Sequence, residues 1–512
     1  MMMYRRIALT LLILVLGALS LSAQSRVSDR RKAIRKIEHV LEYIDHNYID
    51  EVPLDTLVEA ALVAIFDKLD PHSRYMPTAE MRRMMDMLHS EFAGIGINYT
   101  LHHDTLVVRR IIENSPAHQS KLLYGDRIIA INNHSIVGLE RDSISNMLRG
   151  QQGTKLQLDV LRCSDSTRHN IEITRDYIAS PSVATALKLN DSTAYIRIEN
   201  FARNTPQEFR RALATMKDYR SLIIDLRGNS GGLLASVVDI CGIFLKENTL
   251  ILTTEGRSEP TQEFRTKNCG ELCDVALTVL IDEQTASASE VFAGAMQDND
   301  RATIIGRTSY GKGLIQRLVN LGDNSGMAVT RALYKTPAGR AIQRPYTKGD
   351  KQSYHNDRSR YNHPDSLTVE HSPEEMFYTL NEGREVYGRG GITPDIYIAA
   401  ERIDTASYRG RAIIRGVIDE VIINLFDRKG YGGYTSLYPT ADEFAEYFEF
   451  DSISREVIDQ MMQHSEPEDA EVQRLLDDIR ARIVRDIYGE EAFIRMFMCY
   501  DEPLMQALEL HK

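Results

Sequence analysis

The sequence predicts a multidomain protein of mixed α+β and α/β class, on three observations. Its 512 residues exceed the roughly 100–200 of a single domain. Apolar periodicity is helical before residue 90, changes to short strands and turns over 91–177, and is helical again beyond 400. Between them, the apolar β-branched runs Leu222–Leu226 and Val275–Ile281 each end at a turn of small residues and continue into an apolar helix. Strand, turn and helix repeated in this way predict βαβ units and a mostly parallel sheet. With 43% hydrophobic and 26% charged residues, a buried core is within reach without covalent staples. A net charge of -12 argues against a nucleic-acid partner and leaves no basic patch for anionic lipid.

Residues 1–23 read as an export signal. Arg5 and Arg6 precede the apolar run Ile7–Leu21, and Ser20–Ala23 supplies small residues for cleavage. That run is short for a membrane span, so a cleaved signal is expected over an uncleaved anchor, placing the protein in the periplasm or cell envelope. Residues 24–90 form an N-terminal helical region, with Ile34, Ile37, Leu41 and Ile44 on one stripe and Leu57, Val58, Ala61, Leu62 and Ile65 on another. Asp70-Pro71-His72-Ser73 ends the second helix. Residues 91–177 read as a small β-domain: Gly94-Ile95-Gly96-Ile97 opens it, Ser143–Leu148 is a short helix, and Leu156–Leu161 is its last strand. Residues 178–400 are the α/β core, with a polar insertion over Tyr346–Tyr378. Residues 401–512 are helical, with wide apolar stripes at Ile413–Leu425 and Val472–Ile487 that read first as core faces and second as a subunit contact. Five cysteines are too few for a disulfide framework. Cys269 and Cys273 could pair or stay free, and no histidine or second cysteine pair joins them into a metal set.

The chemistry concentrates between Thr285 and Gln316. Ser287-Ala288-Ser289-Glu290 lies at a strand-to-helix corner, where free N–H groups favour developing negative charge. The same four residues fit a capping box, in which Ser287 would only cap the helix. Lys312, between Gly311 and Gly313, shifts the balance, because a buried lysine loses its proton readily enough to activate a serine. No histidine occurs between His169 and His355, which excludes a Ser-His-Asp set within the segment. Gly306–Gly313 mimics a phosphate-binding loop but has Gly313 where Ser or Thr must hold magnesium. Leu314–Val319 then alternates like a strand instead of opening a helix. Gly231-Gly232 after the first strand leaves N–H groups uncrowded, which suits an oxyanion hole.

Taken together, several motifs resemble the carboxy-terminal processing peptidases, exported tail-specific proteases with a Ser-Lys dyad. They are Leu69-Asp70-Pro71-His72-Ser73, Gly94-Ile95-Gly96-Ile97, Asp225–Gly232, Ser287–Glu290, Gly311-Lys312-Gly313 with Gln316, and Thr336-Pro337-Ala338-Gly339-Arg340. The likeness runs from about Leu41 to Asp395. It implies an inserted PDZ domain over 91–177 and a crotonase-like peptidase core over 178–400. It implies Ser287 as nucleophile, Lys312 as general base and Gln316 orienting the amine. Ala288 and a glycine of the Gly231-Gly232 pair, Gly232 by preference, would supply the oxyanion hole. Gly94, Ile95, Gly96 and Ile97 would bind the free carboxylate of an apolar protein tail. No metal or cofactor is implied. Substrates would be proteins or peptides with free C-terminal tails; an adaptor protein and a homodimer through the C-terminal helices remain open. Two rivals stand beside this reading: a catalytically silent PDZ-type scaffold in the envelope, and an acyl-transfer enzyme acting on small thioesters.

Overall fold

The computed structural model describes residues 29–162, 167–357, 372–401, 403–462 and 468–512. The expected export signal lies outside the described residues. Helices α1 (29–47) and α2 (Leu54–Phe66) come first. Their stripes stay largely uncovered, with Ile34, Ile37, Val58 and Ile65 all exposed. A three-residue strand β1 (Arg74–Met76) follows the Asp70-Pro71-His72-Ser73 turn. Nothing periodic in so short a stretch announced it; it forms because it pairs antiparallel with a strand of the core. Helix α3 (Thr78–His89) then ends at Ser90, in the left-handed conformation.

The β-domain comprises β2 (Glu91–Gly94), β3 (Ile97–His102), β4 (Thr105–Ile111), β5 (Arg127–Ile131), β6 (His134–Ser135), helix α4 (Arg141–Leu148), β7 (Lys155–Arg162), β8 (Thr167–Thr174) and β9 (Asp176–Ala179). Leu156–Leu161 is therefore not its last strand. β8 pairs along the whole of β7, and β9 pairs back onto β2 so that entry and exit lie side by side. The sign was the alternation of buried Ile171 and Ile173 with exposed polar residues. β3 is an edge strand of the order β3-β4-β5-β7-β8.

The core contains β10 (Val183–Lys188), β11 (Thr193–Ile198), α5 (Thr205–Thr215), β12 (Ser221–Asp225), α6 (Leu234–Phe244), β13 (Leu250–Gly256), β14 (Gln262–Arg265), β15 (Ala276–Ile281), α7 (Ala288–Asp298), β16 (Thr303–Gly306), β17 (Leu314–Asn320), β18 (Gly326–Lys335), α8 (Lys351–Asn356), the hairpin β19 (Met376–Tyr378) with β20 (Glu385–Tyr387), and β21 (Ile396–Tyr397). The principal sheet runs β10-β11-β12-β15-β16-β21 and is parallel except for the antiparallel β10–β11 edge. A second sheet, β1-β18-β13-β14 with β17 on β18, stands across the cleft side.

A parallel sheet needs both faces covered. Leu222, Ile224, Val279, Ile281 and Ile304 point to one face, where α5, α6 and α7 pack. Their neighbours Ile223, Leu280 and Ile305 point to the other, as the two-residue period of a strand requires. That second face is covered by the end of the chain.

The C-terminal helices are α9 (Tyr408–Ile414), α10 (Val417–Leu437, interrupted at Gly430), α11 (Ala441–Tyr447), α12 (Ser452–Met461), α13 (Asp469–Tyr488), α14 (Glu490–Phe497) and α15 (Glu502–Leu510). The Ile413–Leu425 stripe is split between α9 and α10 by Gly416 at φ 71°. Val417, Val421, Ile422 and Leu425 meet Leu475, Ile479, Ile483 and Val484 of α13 in one buried cluster, so the two stripes largely cover each other. Ile494, Leu504 and Ala507 return to the principal sheet beside Tyr195, Ile223 and Leu280, and Arg227 at the end of β12 grips Asp501 through both guanidinium nitrogens. The same helical region holds the β-domain: Arg109 pairs with Asp486, Arg127 with Asp427 at 2.7 Å, and His102 with Glu420 at 2.6 Å. Among the described residues no helix is long and apolar enough to cross a membrane.

Candidate active site

A cleft of about 790 Å³ opens between the carboxyl ends of the principal strands, the second sheet and α3. Ser287, Ala288, Gly231, Gly232, Lys312 and Gln316 all line it. Gly94–Ile97 do not; they sit in the β-domain.

Ser287 joins β15 to α7 with φ 57° and ψ −116°. A side-chain-bearing residue rarely adopts that region, and such strain concentrates at functional sites. The capping box expected from Ser-x-x-Glu is present, and in it the Glu290 carboxylate accepts from the Ser287 N–H at 2.8 Å. Ser289, the neighbouring hydroxyl, is completely buried.

Glu290 does more than a cap requires. Its two oxygens also accept from the Ser309 hydroxyl at 2.6 Å, the Gly311 N–H at 2.6 Å and the Lys312 N–H at 2.9 Å. One buried carboxylate thus ties the backbone of Ser287 to that of Lys312. Burial pushes its pKa up, against the pull of these donors. The spacing Ser-x-x-Glu gave this residue away only as a helix cap.

Lys312 donates to Gln316 Oε1 at 2.8 Å, and Gln316 in turn donates to the His72 carbonyl at 2.5 Å. Burial lowers the lysine pKa, and the nearby Arg74 charge lowers it further. No hydrogen bond joins Lys312 to Ser287 among the described residues. His72 lines the cleft as well; in the sequence it belonged to the turn that ends α2 and to the Leu69–Ser73 motif, neither of which assigned it a role at the site. Burial and the Lys312 charge push its imidazole down to about 3, and its Nε2 lies 3.1 Å from the Tyr354 hydroxyl.

The glycine turn lies against the head of α7. A Cβ on Gly231 would stand 2.8 Å from Ser287 Cβ and 3.0 Å from the Ala288 nitrogen. The Gly231 N–H is already donated to Asn229 Oδ1 at 2.9 Å. The N–H groups of Gly232 and Ala288 make no hydrogen bond among the described residues. Gly232, at φ 145°, packs so tightly on Phe201 that a Cβ would lie 2.2 Å from its carbonyl oxygen. Met84, Met87 and Leu88 of α3, with Leu233, Val291 and Leu318, give the cleft its apolar lining.

At its far end α7 is anchored by Arg340, which is fully buried and donates to Asp298 and Gln297 at 2.6 Å each, while Asp298 accepts the Ala338 N–H at 2.9 Å. The Thr336–Arg340 motif therefore fixes the helix that carries the serine corner. In the β-domain, Gly96 has φ 83° and Ile95 is buried, and the Ile95 and Gly96 N–H groups are unpaired among the described residues. Cys269 and Cys273 are thiols with their sulfurs 3.8 Å apart.

A strained serine, a buried lysine and two N–H groups unpaired among the described residues thus share one cleft, an arrangement compatible with a serine-type peptidase. Residues 192–352 match the family model for peptidase family S41, and residues 93–174 match that for the PDZ domain. The chain is 32% identical over 319 residues to the carboxy-terminal-processing protease of Bartonella bacilliformis, covering 61% of this chain and 73% of that one. It is 32% identical over 323 residues to the carboxy-terminal processing protease CtpB of Bacillus subtilis, covering 62% and 67%. Among solved structures, the photosystem II D1 C-terminal processing protease aligns at 24% identity with a TM-score of 0.33, covering 61% and 90%. The chain belongs to peptidase family S41, among the carboxy-terminal-processing proteases.

Proposed function

We propose that the protein is an exported endopeptidase that captures protein C-terminal tails on its PDZ domain and cuts them with Ser287 and Lys312. The observation that carries this reading is the Glu290 carboxylate, which binds a strained serine and a desolvated lysine into one unit. Neutral Lys312 takes the proton from Ser287 Oγ as that oxygen attacks the scissile carbonyl. The developing oxyanion is received by the Gly232 and Ala288 N–H groups. Collapse breaks the C–N bond, and the lysine ammonium returns its proton to the leaving amine. Water then attacks the acyl-enzyme, again with Lys312 as base, releasing the new carboxylate and restoring Ser287.

In the resting arrangement the lysine amine is parked on Gln316; substrate binding moves it onto the serine, since catalytic hydrogen bonds commonly tighten only in the complex. Histidine 72 is a poor rival base, because an imidazole with a pKa of about 3 holds a proton too weakly to draw one from a serine hydroxyl. Its carbonyl instead fixes Gln316. The chemistry calls for neither metal nor cofactor. Residues 1–23 direct export to the periplasm or cell envelope.

The direct test is incubation with an unstructured polypeptide ending in an apolar residue, beside the same polypeptide amidated at its C-terminus. Cleavage of the free-carboxylate form alone is expected. Equal cleavage of both removes the tail-capture step, and cleavage by a Ser287→Ala protein removes the nucleophile.

A further inference from the structure

Beside the open edge of the PDZ sheet stands a positive charge, Arg141 of α4, with no acidic partner among the described residues. The Gly96 carbonyl accepts the Ile112 N–H, and the β3–β4 hairpin closes at His102 and Thr105. Even-numbered residues of β3 therefore bond inward to β4, and the backbone of Tyr99 faces the open edge. A tail whose carboxylate rests on Gly94–Ile97 must run antiparallel to β3 to pair with that edge. Its last residue then opposes Ile97, and the residue two positions earlier opposes Tyr99, on the same face.

Helix α4 stands across that position. The Tyr99 hydroxyl donates to the Arg141 carbonyl at 3.1 Å and lies 2.7 Å from Ser145 Oγ. The Arg141 guanidinium sits 5.2 Å from the centre of the Tyr99 ring and donates to the Tyr99 carbonyl at 3.3 Å, the acceptor that an incoming strand would use. Arg141 is exposed, and among the described residues no carboxylate pairs with it. An arriving strand displaces the guanidinium from that carbonyl. The freed charge then meets the tail side chain opposite Tyr99.

We propose that Arg141 selects tails with Asp or Glu two residues before a free apolar C-terminus. This rests on the tail-binding reading of Gly94–Ile97 given above. The test is fluorescence anisotropy with eight-residue labelled peptides differing only at that position, as Asp, Ala or Lys, on protein carrying Ser287→Ala so that nothing is cut. The Asp peptide is expected to bind about two- to fivefold more tightly than the Ala peptide, the scale of a partly exposed ion pair, with the Lys peptide weakest. Arg141→Ala should level the three, and Arg141→Glu should reverse their order. Equal affinities for all three, with amidation still abolishing binding, would overturn the role of Arg141 while sparing the tail-binding reading. Binding unaffected by amidation would overturn both.

Discussion

Glu290 carries more of the site than its place in a cap suggests. Replacing it with Gln leaves an amide facing four donors, so at least one buried N–H or O–H loses its acceptor at a cost of about 2 kcal/mol. Glu290→Gln is therefore expected to lower Tm and to reduce kcat more than it raises KM, measured by thermal denaturation and steady-state cleavage. At Lys312 the sign of the pH dependence follows from its lowered pKa. In the proposed mechanism the neutral amine is the base, so kcat/KM should rise with pH through one ionisation below the ordinary lysine value and fall on the acid side. A profile flat from mildly acidic to alkaline pH would contradict a lysine base. Stability has the same direction. The folded state binds this proton more weakly than the unfolded chain does, so the burial penalty is present below the folded pKa and fades as pH climbs towards the unfolded value. Lys312→Met should accordingly raise Tm at neutral pH, by about 1 kcal/mol of stability, while abolishing turnover.

The α7 corner shows what was legible in sequence and what was not. Ser287, Lys312 and Gln316 lie within one continuous stretch whose small residues and alternation already placed them on a helix head, a loop and a strand. The glycine turn was equally visible, and the preference for Gly232 acquires a physical reason once Gly231 is seen to give its N–H to Asn229. Gly232→Ala would drive a Cβ into the Phe201 carbonyl, and a loss of roughly 3 kcal/mol is expected by denaturant titration. His72 was not legible as a cleft residue. It stands 244 positions from Gln316 and arrives through the β1–β18 pairing, which no local pattern encodes. Met84, Met87 and Leu88 arrive the same way, on a helix whose apolar face reads simply as core.

Across the whole molecule, the end of the chain finishes the peptidase sheet. The wide stripes of α10 and α13 were readable as core, but no periodicity says that α14 and α15 pass that cluster to cover Ile223 and Leu280. Leu504→Ala, at a buried position, should cost about 2–5 kcal/mol, whereas Leu510→Ala, at an exposed one, should cost under about 0.5 kcal/mol. Matched losses in thermal denaturation would contradict this placement. The central claim is the covalent step at Ser287, and the most direct measurement is intact mass spectrometry after rapid acid quench with an activated peptide ester. A single acyl adduct is expected, mapping to the peptide that holds Ser287, absent in Ser287→Ala and formed far more slowly in Lys312→Ala. An adduct on Ser289 or elsewhere, or one formed equally fast without Lys312, would contradict the dyad.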